Sequence, residues 1–260
     1  ASFALGTDTA GSGRVPAAFN NLIGVKPTRG LISTRGVLPA CRSLDCVSVF
    51  ALDCADAATL FGLLAVYDAA DPYARALPPA SSAPLGGFGA AGSRIGVPLP
   101  GQLESDCDAD TLAAFARATA ALRASGAQLV PIDIAPLLDT ARLLYEGPRV
   151  AERYTAIREF FDAHAAAVHP VVAAIVARGK DYSASDVWDA EHQLAALRRR
   201  AGTALAGCDA FVLPTTPAHP RIAEVLAEPV AANTQLGRYT NFVNLLDLAA
   251  VAVPAGRHAN

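Results

Sequence analysis

The stretch Gly6-Thr7-Asp8-Thr9-Ala10-Gly11-Ser12-Gly13-Arg14-Val15-Pro16 decides how this chain is read. The apolar run Phe3-Ala4-Leu5 leads into it, so residues 1–6 read as a buried strand that ends in a loop of small residues. Glycine lets a backbone pass close to another group or take positive φ. Successive N–H groups of such a loop can converge on an anion or a developing oxyanion. Ser12 stands at the end of the loop, placed to attack a carbonyl held against those groups. A strand followed by a plain glycine-rich turn has the same composition, so the loop alone leaves both readings open. Two motifs are excluded. No Gly-Lys-Ser/Thr follows the glycines, as a phosphate-binding loop requires. The residue two after Ser12 is Arg14, where a nucleophile elbow has glycine.

The chain around this loop has 260 residues, 52% of them hydrophobic, and a formal net charge of −3. That is enough for a sizeable core in one or two domains, and the near-neutral charge argues against nucleic-acid or polyanion binding. Only two of the 21 basic residues are lysines, Lys26 and Lys180. The five cysteines are odd in number and include no Cys-x-x-Cys pair, which reads as reduced thiols in a cytoplasmic protein. The five histidines are scattered, and His164 and His169 are five apart rather than four, so no metal site is expected. No apolar run reaches the ~18 residues of a membrane span, and no signal peptide is visible.

Along the chain, Pro16-Ala17-Ala18-Phe19 starts a short helix with proline in its first turn. Leu22 to Val25 is a short strand, and Lys26 to Gly30 a turn. Ser43 to Ala51 leads to a helix over about Asp53 to Tyr67, with Cys41 and Cys46 as packing residues. Residues 68–92, rich in Pro, Ala, Gly and Ser, form a long surface loop. Arg94 to Pro98 is a strand, Asp108 caps a helix to about Ala124, Gly126 ends it, and Gln128 to Ile134 is the next strand. This strand–helix–strand order predicts an α/β fold: a mixed β-sheet core covered by helices. Residues 136–207 are largely helical, with breaks at Gly147-Pro148, His169-Pro170 and Gly179-Lys180. Val187, Leu194, Leu197 and Leu205 mark the inward face of the last helix, and Arg198-Arg199-Arg200 is solvated. Ala210 to Pro214 is a buried strand ending in Thr215-Thr216-Pro217, a polar strand end of the kind that borders α/β sites. A helix over Thr240 to Leu246 returns to a strand at 249–253.

Residues 6–50 closely resemble the amidase signature family. The family pattern Gly-Thr-Asp-x-x-Gly-Ser-x-Arg-x-Pro-Ala falls on Gly6 to Ala17, and its Gly-Leu-Lys-Pro-Thr-x-Gly on Gly24 to Gly30, with Val25 in place of Leu. Ala10 stands where most members have Gly, and Gly13 where they have Ile. With Cys41-Arg42-Ser43-Leu44-Asp45-Cys46, these departures resemble the allophanate hydrolase branch. The resemblance implies a serine amidase with Ser12 as nucleophile and the backbone amides of Thr9, Ala10, Gly11 and Ser12 as oxyanion hole. Asp8 and Arg14 would brace the loop. A second serine on a cis peptide bond would relay the proton to a neutral lysine, and both lie upstream of the signature in the family. The family's Lys-Pro-Thr lysine, here Lys26, is structural. The chain starts without Met inside a motif and stops after what reads as a core strand, so residues 1–260 are expected to be part of an amidase signature domain truncated at both ends. As given, without that lysine and serine, it is expected to be inactive.

Tyr145 and Arg153 lie eight apart across Glu146-Gly147-Pro148, and a Tyr and an Arg at this spacing contact substrate in the allophanate hydrolase branch. A guanidinium grips a carboxylate through two parallel hydrogen bonds, and a phenol can bond the urea portion. Arg142, Arg149 and Tyr154 compete for these roles. The implied activity is hydrolysis of allophanate to ammonia and a carboxylated carbamate, with no cofactor. The implied partners are a biotin-dependent urea carboxylase as functional link and a second copy in a homodimer. The rivals are a glutaminase subunit of a tRNA-dependent amidotransferase and a non-catalytic relative that binds a small anion.

Overall fold

The computed structural model describes residues 1–77 and 90–257. Its strands form two sheets among the described residues. The first is antiparallel, with β1 (Phe3–Thr7), β3 (Val47–Ala51), β2 (Ile23–Lys26) and β7 (Ala250–Ala252) in the order β1-β3-β2-β7. The second is parallel, with β4 (Arg94–Pro98) between β5 (Gln128–Ile132) and β6 (Ala210–Phe211). Parallel neighbours need long crossovers. The helix α3 (Ala109–Ala124) supplies the one between β4 and β5, and a helical layer supplies the one between β5 and β6. The chain is thus an α/β fold of sheets covered by helices.

The helices follow local chemistry. α1 (Val15–Phe19) carries Pro16 in its first turn, where the missing N–H costs nothing. α2 (Cys54–Leu64) is capped by Asp53 and is shorter than expected. Asp108 caps α3 by accepting from Thr111 N at 2.7 Å, and Gly126 (φ +89°) ends the turn after it. The helical layer is α4 (Ala135–Arg142), α5 (Arg149–His164), α6 (Pro170–Ala177) and α7 (Ala184–Ala204), interrupted at the three glycine and proline positions expected. α8 (Ile222–Ala227), α9 (Pro229–Leu236) and the short α10 (Phe242–Leu245) return the chain to β7.

The main core forms where the parallel sheet meets α4, α7 and α10: Ile132, Ile134, Leu137, Ala141, Ala201, Phe242 and Val243. A second cluster, Ala10, Cys41, Leu44, Leu144, Leu194 and Leu245, sits under the glycine-rich loop.

Several expectations are corrected. β1 is a strand but not a buried one: Phe3 and Leu5 are 50% and 49% exposed, because β1 is the outer strand of its sheet and neither side chain joins a core cluster. The segment read as a lead-in to α2 holds β3, the partner of both β1 and β2. Its residues are almost all buried, so it lacks the alternation that marks a one-faced strand. β6 has two residues, only partly buried, rather than five, since it lies at the sheet edge and Pro214 has no N–H to extend a ladder. Lys26 ends β2 rather than opening the turn, and is fully buried. Val187 is exposed in the first turn of α7. Arg198 is not free in solvent, since its Nε and Nη2 donate to Leu245 O at 3.1 and 2.9 Å and satisfy a carbonyl at the end of α10. Of the expected loop over 68–92, residues 78–89 lie outside the described residues.

Candidate active site

β1 delivers the loop, and its last rung is Asp8 N donating to Cys46 O at 2.7 Å. Asp8 then turns inward and is fully buried. Its carboxylate accepts from Arg14 Nε at 2.8 Å, from Arg14 Nη2 at 3.0 Å and from Gly13 N at 3.2 Å. The N–H groups of Arg14 and Val15 both reach Gly11 O at 2.8 Å, which rolls the loop into α1. Between these anchors, the N–H groups of Thr9, Ala10, Gly11 and Ser12 donate to nothing among the described residues. Thr9, Ala10 and Gly11 are buried, where nearly all backbone donors are paired. Consecutive unspent backbone donors of this kind can stabilise a carbonyl oxygen gaining charge. Ser12 is exposed beside them, with no hydrogen bond to its hydroxyl among the described residues.

Two glycines are fixed by close approach. A Cβ on Gly11 (φ +151°) would lie 2.3 Å from Thr240 Oγ1, and one on Gly13 would lie 2.4 Å from Ser48 Oγ. The small residue at 13 therefore goes with the serine of β3 beneath it.

The loop is held from two sides that the sequence reading did not assign. From α10 and the turn before it, Thr240 O and Asn244 Oδ1 accept from Arg14 Nη2 at 3.1 and 3.3 Å. Asn244 Nδ2 donates to Asp8 O at 2.7 Å and to Leu44 O at 3.0 Å. The Asn241 amide, oriented to match its surroundings, donates to Ala10 O at 2.9 Å. Holding the carbonyls of residues 8 and 10 leaves the following N–H groups facing away. From the 41–46 turn, Asp45 accepts from Thr9 Oγ1, from Cys41 N at 3.0 Å and from Ala40 N at 2.9 Å. The signal was Asn-x-x-Asn, two amides one helical turn apart and so on one face, in an apolar segment where only partnered amides are tolerated.

Tyr145 packs against the cluster that contains Ala10, so the structure brings it toward the loop. Arg153 sits 5.0 Å over the Tyr145 ring and donates to its hydroxyl at 3.3 Å. Arg153 also lies beside Cys41: burial raises that thiol's pKa to about 11, against the pull of the guanidinium. The competitors are engaged elsewhere. Arg149 pairs with Glu191 and Glu152, Arg142 with Asp139, and Tyr154 donates to Asp162. Arg153 has no ion pair among the described residues, and its buried Nε has no hydrogen-bond partner.

Neither lysine stands at Ser12. Lys26 Nζ donates to Pro27 O at 2.7 Å and Leu248 O at 2.8 Å, and burial lowers its pKa. Lys180 pairs with Asp162 at 2.6 Å on the surface. No group of three or more His, Cys, Asp or Glu that could hold a metal occurs among the described residues.

The model of the family described as Amidase matches residues 1–260. A urea amidolyase of Lachancea kluyveri is 45% identical over 256 residues, which is 97% of this chain and 14% of that protein. A glutamyl-tRNA(Gln) amidotransferase subunit of Anaeromyxobacter dehalogenans is 31% identical over 287 residues, 98% of this chain and 56% of that one. Among solved structures, an allophanate hydrolase of Kluyveromyces lactis superposes with a TM-score of 0.92 at 41% identity, covering 99% of this chain and 42% of that chain. The chain thus spans about a seventh of the amidolyase and less than half of the hydrolase.

Proposed function

The chain belongs to the amidase family, and from that premise we propose that it carries the nucleophile and the substrate-binding groups of an allophanate hydrolase. The carrying observation is Arg153: a partly buried guanidinium without a carboxylate, packed through Tyr145 onto the cluster under the Ser12 loop. A small amide bearing its own carboxylate is the ligand such a site fits. The names of the similar proteins, a urea amidolyase and an allophanate hydrolase, favour carboxylated urea within that class.

In this reading Arg153 grips the carboxylate and the Tyr145 hydroxyl bonds the urea portion. Ser12 Oγ attacks the terminal carbonyl, whose oxygen takes up the electron pair against the N–H groups of Thr9, Ala10, Gly11 and Ser12. The carbonyl re-forms as the C–N bond breaks, and the departing nitrogen takes up the proton that Ser12 gave to its base and leaves as ammonia. Water then hydrolyses the ester on Ser12 and releases a carboxylated carbamate. Because both lysines are engaged elsewhere, the proton of Ser12 is assigned to the lysine and cis-serine that family resemblance places before Ala1. Asp8 and Arg14 hold the loop in shape and take no part in proton transfer. No metal or organic cofactor enters the steps. The substrate is supplied by a urea-carboxylating reaction of the biotin-dependent kind, in the cytoplasm, and the full-length protein is assigned as a homodimer.

The test is ammonia release by the full-length protein from allophanate, glutamine and an uncharged amide of similar size. Preference for allophanate supports the reading. Preference for glutamine would instead place the chain with the glutaminase subunits of tRNA-dependent amidotransferases. No turnover, together with no labelling of Ser12 by a fluorophosphonate, would make it an anion-binding relative.

A further inference from the structure

Resting on the assignment of Arg153 to the substrate carboxylate, we propose that Glu152 and Ser43 are positioning residues that set the span from Arg153 to the Ser12 loop and so select substrate length. Both Glu152 oxygens are spent on one residue of the 41–46 turn: Ser43 N donates to Oε1 at 2.6 Å and Ser43 Oγ to Oε2 at 2.7 Å. The other end of that turn is Asp45, which binds the Thr9 hydroxyl and the amides of Ala40 and Cys41. Two side-chain links therefore run from the first turns of α5 to a residue of the oxyanion loop. The turn cannot drift, because Ser43 O accepts from Arg29 Nη1, and Arg29 Nε is held by Asp247 at 3.1 Å.

Elsewhere among the described residues α5 meets the 41–46 turn only through Cys41, whose Sγ donates weakly to Arg149 O at 3.8 Å and which lies beside Arg153. The helix packs on α6 and the 178–180 turn, and its backbone leaves helical geometry at Ile157 (φ −125°, ψ 17°). Adjacent helical residues project about 100° apart, which lets Glu152 meet Ser43 in the middle of the 41–46 turn while Arg153 lies between Tyr145 and Cys41 at its start. The link has a second consequence. A carboxylate next in sequence to Arg153 would compete with substrate for the guanidinium. With both oxygens on Ser43, and Arg149 Nη1 at 3.7 Å, Glu152 is kept off Arg153.

The experiment uses the full-length protein and three amide acids: allophanate, malonamate (CH₂ in place of the internal NH) and succinamate (one methylene longer). Ser43→Ala and Glu152→Gln should each raise KM for allophanate tenfold to a hundredfold with kcat falling less than threefold, since small misplacements of a substrate anchor have effects of this size. They should also narrow the preference for malonamate over succinamate. Ser43→Thr, which keeps both donors, should restore KM to within threefold. Two variants guard against one failing to fold, and thermal melts report stability separately. Equal falls in kcat for all three substrates with KM and chain-length preference unchanged would overturn the proposal, as would a Ser43→Thr no better than Ser43→Ala. If Arg153→Ala leaves KM for allophanate unchanged, the underlying reading fails and takes the proposal with it. If Arg153→Ala weakens binding but the Ser43 and Glu152 variants do not, only the proposal fails.

Discussion

Arg14 and Arg153 are the same side chain put to opposite uses. Arg14 is 3% exposed and acid-paired: Asp8 takes its Nε and Nη2 through two parallel bonds, and Thr240 O and Asn244 Oδ1 also accept from Nη2. Arg153 is partly buried and unsaturated, with a phenol and a thiol against it and no carboxylate paired with it among the described residues. A buried charge must be paired or it costs several kcal/mol, which is why the proposed function gives Arg153 the carboxylate of an arriving substrate. The contrast teaches that acid complement, more than exposure, separates a structural guanidinium from a receptor. Both act on one loop, Arg14 from beneath and Arg153 through Tyr145.

The largest test concerns the loop between them. If the pair below only shapes the loop, chemistry rests on the one exposed side chain, Ser12. Ser12→Ala in the full-length protein should lower kcat by about 10⁶ and leave the melting temperature near that of the parent, because an exposed serine contributes little packing. Turnover within tenfold of the parent would remove Ser12 from the mechanism.

Next in size are the two ends of the comparison, which should fail in different ways. Asp8→Ala strands the buried Arg14 with neutral acceptors only, and should cost about 3–5 kcal/mol of stability, read by denaturant or thermal unfolding. Arg153→Ala should leave unfolding close to the parent and raise KM for allophanate about 30- to 1,000-fold, the loss of a charge-assisted bidentate contact. An uncharged amide should feel much less. Were Asp8→Ala stable but altered only in KM, or Arg153→Ala unstable, the two roles would have to be exchanged.

What the sequence showed follows the range of the contacts. The glycine-rich loop and its internal ion pair were legible because their residues are contiguous: four small residues, a serine, and an acid–base pair six positions apart. The helix breaks in 136–207 were legible for the same reason, since glycine and proline act locally. The braces on the loop were not. Asn244 reaches Asp8 O across 236 positions, and Arg14 reaches Thr240 O across 226; the Asn-x-x-Asn pair marks amides that need partners but does not say which ones. Arg153 was named with its rivals but could not be separated from them. Glu191 of α7, 42 positions away, occupies Arg149, and Asp162, eight residues on in α5 itself, occupies Tyr154. β3 was missed because burial on both faces erased its period.

The smallest effect sharpens the contrast through two thiols, one in each region. Cys41 lies beside Arg153, and Cys46 lies near Lys26, with Asp8 and Arg14 close by. Burial raises both to about 11, from an ordinary value near 9. A thiol whose folded pKa is raised favours the folded state while protonated. That contribution is fully present below about pH 9 and is lost as pH climbs toward 11, at about 1.4 kcal/mol per pH unit for each thiol. Unfolding measured across this window should show the loss, and Cys46→Ala should make it shallower. The two thiols should then part company on ligand binding. An anion on Arg153 cancels the positive charge that now holds Cys41 down, so a carboxylate ligand such as malonamate should push the Cys41 titration higher. The Cys46 titration should not move, since Arg14 is already neutralised by Asp8. Thiolate absorbance in Cys46→Ala and Cys41→Ala backgrounds, each with and without malonamate, reads the two separately. Equal movement of both thiols would mean that the ligand acts through the fold as a whole. No movement of either would place the anion away from Arg153.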